Sequence, residues 1–254
     1  AMTLLVDVLP LQTTSSVVAL LGTVVSIFIG FRNSNAYARW WEARTLWGTV
    51  VSNGRSLSNA LIAVCAQTPE GSELSDRIRR RQVRQAWQLA AELRGTPTAP
   101  ELAELTPEDP AHASSGELLA RQGFDIGAMT AAKITDSQGR TVLVNLNTAQ
   151  ATTTGALERI RDQAIPRYYG LFIRVLTWFF AVMVCTRLDA GGHDRPIGIA
   201  VGILIMMMFV VAERLGSLLE EPLGDNVFGL PMSRYCAQLG DDLLSTAASE
   251  GPVR

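Results

Sequence analysis

The strongest constraint on this chain is a run of 21 residues without a charged side chain, LQTTSSVVALLGTVVSIFIGF, from Leu11 to Phe31. Arg32 closes it. About 20 predominantly apolar residues, wound as a helix, cross the hydrocarbon core of a bilayer. Residues 168–186 meet the same length requirement with Arg174 inside them, and residues 197–213 do so up to Glu213. The segment between them, RLDAGGHDRP at 187–196, carries the glycines and proline of a tight connection and predicts a helical hairpin. Composition agrees: 18% of residues are charged, against about 25% in an ordinary soluble domain. The chain is therefore expected to be an integral membrane protein with spans at about 11–31, 168–186 and 197–213.

Basic residues near span ends set the orientation. Arg32, Arg39 and Arg44 follow the first span, Arg161 and Arg167 precede the second, and Arg214 closes the third. In the 187–196 loop, Arg187 and Arg195 are balanced by Asp189 and Asp194. This pattern places about 32–167 and 214–254 in the cytoplasm, with the C-terminus. Residues 32–166 hold 15 bases and 14 acids, so no basic footprint for nucleic acid exists there.

The polar middle reads as helical. Leu74, Ile78, Ala86, Ala90 and Leu93 recur at helical spacing, with Ser75 or Asp76 as the cap and Gly95 with Pro97 as the stop. Residues 96–116 predict a loop with one short helix, and 141–165 a helix leading into the second span, interrupted near Pro166. No segment alternates as a strand would, so the fold class is all-α. The arginines Arg77, Arg79, Arg80, Arg81 and Arg84, with Glu70, Glu73 and Asp76 nearby, read as a solvated helix face. Trp40, Trp41 and Trp47 read as interfacial anchors or packing residues.

Catalytic chemistry has little to stand on. Cys65, Cys185 and Cys236 are far apart, His112 and His193 stand alone, and no nucleophile–base pair or phosphate loop is present. No cofactor and no metal site are expected. Glu220-Glu221-Pro222-Leu223-Gly224-Asp225-Asn226 reads either as a turn with acids or as a cation site short of oxygens. Arg174 has three readings: it snorkels, pairs with an acid or faces water.

Within the first span, Thr23, Ile27 and Phe31 recur at i, i+4 and i+8 and share one helical face, with Gly22 and Gly30 placed on the same strip. Spacing leaves two readings open. The stripe packs on a neighbour, or in a symmetric ring it lines an apolar throat that gates by dewetting.

The run SIFIGFRNSNAYARWWEARTLWG, residues 26–48, closely resembles bacterial bestrophin homologues after their second transmembrane helix. Glu158-Arg159-Ile160 with Ile165-Pro166 matches the family's approach to its third helix. Glu220-Glu221-Pro222-Leu223-Gly224, Leu230-Pro231 and Cys236 match its acidic Pro-Phe-Gly and Leu-Pro segment, with Leu223 in place of Phe. The resemblance runs from about residue 11 to 245 and implies a single bestrophin-like domain over 1–254.

That resemblance implies a homopentameric channel for monovalent ions in a bacterial inner membrane, its partners being identical subunits and the bilayer. Carried over without gaps, the three rings of the pore neck fall on Thr23, Ile27 and Phe31, and a cytoplasmic aperture falls on Gln138. The Thr23 hydroxyl, where an apolar residue is usual, lowers the dewetting barrier and shifts gating to Ile27 and Phe31. Only Asp225 follows the turn where the calcium-gated relatives carry a run of acids, so the channel is expected not to be calcium-gated. The family's first transmembrane helix finds no counterpart beyond residues 1–10, and the bacterial branch implies cations. The competing reading is a non-conducting membrane scaffold whose cytoplasmic helices bind a partner.

Overall fold

Proline is absent from Ser15 to Val64, and the helix that begins in the apolar run does not stop at Arg32. It continues as one 50-residue element, α1, Ser15–Val64. The structure, a computed structural model, describes residues 15–163, 167–188 and 195–249. After α1 come α2 (Pro69–Arg94), α3 (Ser115–Ala131), α4 (Ser137–Asp162), α5 (Arg167–Leu188), α6 (Arg195–Leu219) and α7 (Met232–Ser249). A 3₁₀ turn at Pro100–Leu105 is the one short helix expected in the 96–116 loop. Among the described residues every regular element is helical, as an all-α chain requires.

Local chemistry sets the ends. The α2 helix starts at Pro69, earlier than the periodicity predicts, because Thr68 caps it by accepting from the Gly71 N–H at 3.1 Å. Ser75, the expected cap, is instead buried within the helix. A Cβ at Gly71 would lie 2.4 Å from the Ala66 carbonyl oxygen, so the turn into α2 needs glycine. At the other end Gly95 takes φ +67°, the Gly95 N–H donates to Glu92 O and the Thr96 N–H to Ala91 O. These two bonds make a Schellman stop, as the sequence predicts. Asp136 caps α4 by accepting from the Gly139 N–H at 2.7 Å, which moves that helix back to Ser137–Asp162 from the expected 141–165. The predicted interruption at Pro166, and residues 11–14 of the first span, lie outside the described residues.

The chain divides into two compact units. One is built from the described residues of 1–41, 164–222 and 226–228, the other from those of 42–163, 223–225 and 229–254. In the first, Val25 and Ile29 of α1 pack with Ile173 and Phe180 of α5, and Phe209 and Ala212 of α6 border the cluster. Among the described residues three helices are long and apolar enough to cross a membrane, over Ser16–Val64, Tyr168–Cys185 and Ile197–Leu219.

In the second unit, Leu57, Leu61 and Cys65 of α1, Ile78 of α2, Ile126 and Met129 of α3, Ile134 and Leu143 of α4 form the core. Beside this core lies a layer of buried amides. Gln122 donates to Gln82 (3.3 Å) and to Asn147 (3.1 Å), Gln150 donates to Gln85 (3.1 Å), and Gln85 donates to Thr154 (3.2 Å). These two sets of bonds need one register of the helices, and they leave Gln82 Nε2, Gln122 Oε1 and Gln150 Oε1 without a hydrogen-bond partner.

The arginine run overturns its sequence reading. Arg79, Arg81 and Arg84 are buried at 1, 3 and 2% exposure, not solvated. Arg81 grips Asp109 with two bonds, Nε to Oδ2 at 2.6 Å and Nη2 to Oδ1 at 3.0 Å, and also donates to Asp125. Burial alone would lower the pKa of the Arg81 guanidinium, but these bonds outweigh it and the net shift is upward. Arg84 donates to the Thr106 hydroxyl and to the carbonyls of Thr106, Pro110 and Ala111. The two side chains hold the 106–111 loop against α2, and this is why the run sits where a solvated face was expected.

Candidate functional site

An α-helix turns about 100° per residue, so Thr23, Ile27 and Phe31 occupy an arc of about 80°. Val25, Ile29, Arg32 and Ala36 lie about 140–180° around the helix from Ile27. Burial follows this division. Val25, Ile29, Arg32 and Ala36 are 0 to 5% exposed, whereas Ile27 is 51% and Phe31 65% exposed. Thr23 and Gly30 are exposed as well. The face carrying Thr23, Ile27 and Phe31 is thus left uncovered by the described residues, while the opposite face is consumed by the core of α5 and α6.

Two details refine the stripe. The Thr23 hydroxyl donates to the Ala19 carbonyl at 3.0 Å, so its proton is spent within the helix and only an acceptor lone pair faces outward. The Thr23 position of the stripe is therefore less polar than the residue name suggests. Gly22 is not on the strip, contrary to the sequence reading: a Cβ there would sit 3.0 Å from the Phe180 ring, on the buried side. Gly30, with nothing within 4 Å of a built Cβ, does face outward with the stripe.

Immediately beyond Phe31 the buried face becomes ionic. Arg32, 2% exposed, donates from Nε to Glu220 Oε1 at 2.6 Å, from Nη2 to Glu220 Oε2 at 3.1 Å and from Nη1 to Glu213 Oε1 at 3.0 Å. Glu213 also meets Arg174 Nε at 3.4 Å, which selects pairing with an acid among the three readings of that residue. Glu220 is consequently engaged by arginine instead of being an open cation ligand, and the described residues contain no cluster of three or more metal-ligating side chains. In the sequence Arg32 stands out only as an orientation signal. The available clue was an arginine directly after one apolar run and a glutamate directly after another.

Of the tryptophans, Trp47 is fully buried and Trp41 is exposed. Trp40 donates from its indole to the Phe228 carbonyl at 2.7 Å, so this one packs on the chain itself. Gln138 lies in the second unit, exposed in the first turn of α4. His112 is exposed in a turn, as expected, and His193 lies outside the described residues.

Comparison with known proteins places this arrangement. The profile of the family described as Bacterial/Fungal Bestrophin protein matches residues 1–245. The protein named voltage-dependent anion channel-forming protein YneE of Escherichia coli K12 is 31% identical over 233 residues, covering 89% of this chain and 74% of that protein. A similarly named protein of Synechocystis, sll1024, is 25% identical over 87% of this chain and 73% of its own length. The crystal structure of a bacterial bestrophin homologue from Klebsiella pneumoniae superposes with a TM-score of 0.86 at 27% identity, over 95% of this chain and 90% of that one. With three apolar helices of membrane-crossing length, this is a membrane protein, and it belongs to the bacterial/fungal bestrophin family.

Proposed function

We propose that this chain forms a pentameric ion channel in a bacterial inner membrane, with the α1 stripe lining the neck of a central pore. The observation that carries the reading is the uncovered apolar face of Thr23, Ile27 and Phe31, opposite a face fully used by α5 and α6. Five such faces around an axis make a narrow apolar constriction, which conducts or closes according to whether water fills it. Ile27 and Phe31 form the tighter rings; Thr23, with its proton turned inward, adds a weakly polar outer one. Gln138 is proposed for the cytoplasmic aperture, within a cytoplasmic region of about 32–167 and 214–254, and the chain works as one bestrophin-like domain with its C-terminus in the cytoplasm. The role is conduction, not catalysis, and calcium does not gate it.

The sign of the ion has two indications that disagree. The relatives carry anion channel-forming in their names, whereas resemblance to the bacterial branch implies cations. The outward stripe carries no charge to impose either, and the proposal keeps monovalent cations.

Flux through purified protein in liposomes, comparing Na⁺, K⁺ and Cl⁻, tests the reading. The expected result is a pentamer by mass and selective flux that rises or changes in Ile27→Ala and Phe31→Ala. A pentamer without flux would remove the channel reading and leave the scaffold. A flux selective for Cl⁻ would keep the channel and overturn the cation assignment.

A further inference from the structure

The stripe needs a fixed rotation of α1, and a set of polar contacts lies directly beyond it. Arg32 and Asn33 follow Phe31 directly and tie α1 to the end of α6 at three points. Arg32 binds Glu220 through two parallel bonds of 2.6 and 3.1 Å and binds Glu213 at 3.0 Å, while the Asn33 amide donates to the Ala212 carbonyl at 3.0 Å. Glu213 lies in the last turns of α6 and Glu220 directly follows its last residue, Leu219, so both carboxylates stand at that end of the helix. Between them stands Gly216, where a built Cβ would be 2.0 Å from Asn33 Oδ1, so a larger residue there would push the Asn33 amide aside. From α5, Gly170 leaves room for the guanidinium: a Cβ there would be 3.3 Å from Arg32 Nη2.

We propose that Arg32, clasped by Glu213 and Glu220, is a positioning residue for the neck: it sets the rotation and height of α1 so that Phe31 faces the ion path. This rests on the channel reading above. Successive residues are about 100° apart, so a helix pinned at position 32 on its buried side must present position 31 outward. With Arg174, which also reaches Glu213 at 3.4 Å, the group holds two carboxylates and two guanidinium ions, so losing one charge unbalances it. A neutral Gln at 220 keeps an oxygen for one bond but gives up the bidentate charged grip. Phe31 then gains rotational freedom while the core packing of Val25 and Ile29 is untouched.

The test uses full-length protein in liposomes, with Glu220→Gln and Arg32→Lys, each alone and combined with Phe31→Ala. The expected result is that Glu220→Gln alters flux by about threefold to tenfold in the wild-type background. The same substitution has no effect once Phe31 is alanine, because the side chain being positioned is gone. Arg32→Lys, which keeps the charge but not the fork, gives an intermediate change. Equal fold-changes in both backgrounds, or no change in either, would overturn the proposal.

A second readout does not depend on flux. In a Phe31→Cys protein whose exposed Cys185 is changed to Ser, a small thiol reagent reports the orientation of position 31; Cys65 and Cys236 are buried. Adding Glu220→Gln is expected to change the modification rate severalfold, and an unchanged rate contradicts the clasp. Absence of flux in every variant, with a changed modification rate, would retain the clasp and reject the channel.

Discussion

The two units of this chain treat charge and apolar surface in opposite ways. In the first, large apolar side chains such as Phe172, Val175, Trp178, Met207, Met208 and Val211 are exposed, and Arg32 with Glu213 is buried. In the second, a core gathers around Leu61, Ile78, Ile126 and Leu143, and the buried arginines Arg79, Arg81 and Arg84 each donate to oxygens of the same unit. Outward apolar surface signals lipid or another copy as the surrounding medium, because exposing it to water costs roughly 25 cal/mol per Å². A buried charge carries the same lesson in both units: it is kept only where its partner has good geometry.

The sharpest way to break the comparison is to orphan a buried charge in the second unit. Arg81→Met leaves Asp109, 1% exposed, without its bidentate partner and is expected to cost about 3–5 kcal/mol in chemical unfolding followed by circular dichroism. Leu61→Ala, which empties a fully buried core site, is expected to cost about 2–5 kcal/mol in the same assay. An exposed pair makes the contrast: Arg55 and Asp242 are 2.5 Å apart but 46 and 39% exposed, so Arg55→Ala should cost under about 1 kcal/mol. Should Arg55 and Arg81 matter equally, burial would not be what distinguishes them.

The smallest effect concerns reactivity. Burial pushes the Cys236 thiol up to about 12, with a modest opposing pull from Arg94. A thiol whose pKa is raised stays protonated throughout the neutral range, and the thiolate is the nucleophile. Cys236 is therefore expected to resist alkylation at pH 8 in the folded protein, while the exposed Cys185 reacts. Mass spectrometry after brief labelling distinguishes the two, and equal labelling would contradict the burial of Cys236.

Helix class, the spans and the Thr23–Ile27–Phe31 stripe were legible because apolar length and a four-residue spacing are one-dimensional signals. Burial of Arg81 and Arg84 was not, since the acids and carbonyls that satisfy them come from positions 106–125, across a loop without periodicity, and buried Arg79 reaches back to Ser58 of α1 as well as to Asp76. Helix α2 shows the same limit: Ile78, Gln82, Gln85, Leu89 and Leu93 form its buried stripe, and two glutamines in it disguise the pattern. Gly22 could have been placed by angle alone, one step around the helix from the stripe and on the side of Val25. The Arg32 clasp joins positions 181 and 188 residues apart, a distance no local pattern spans.

The central claim is that the uncovered face of α1 borders the ion path, and a charge placed on it is the most direct probe. Rings of charged side chains set the selectivity of a pore. Reversal potentials under a KCl gradient, for Ile27→Glu and Ile27→Lys beside the wild type, should therefore shift in opposite directions, toward cations for glutamate and toward anions for lysine. Both variants assembling and conducting with the reversal potential of the wild type would contradict the claim and place Ile27 against lipid.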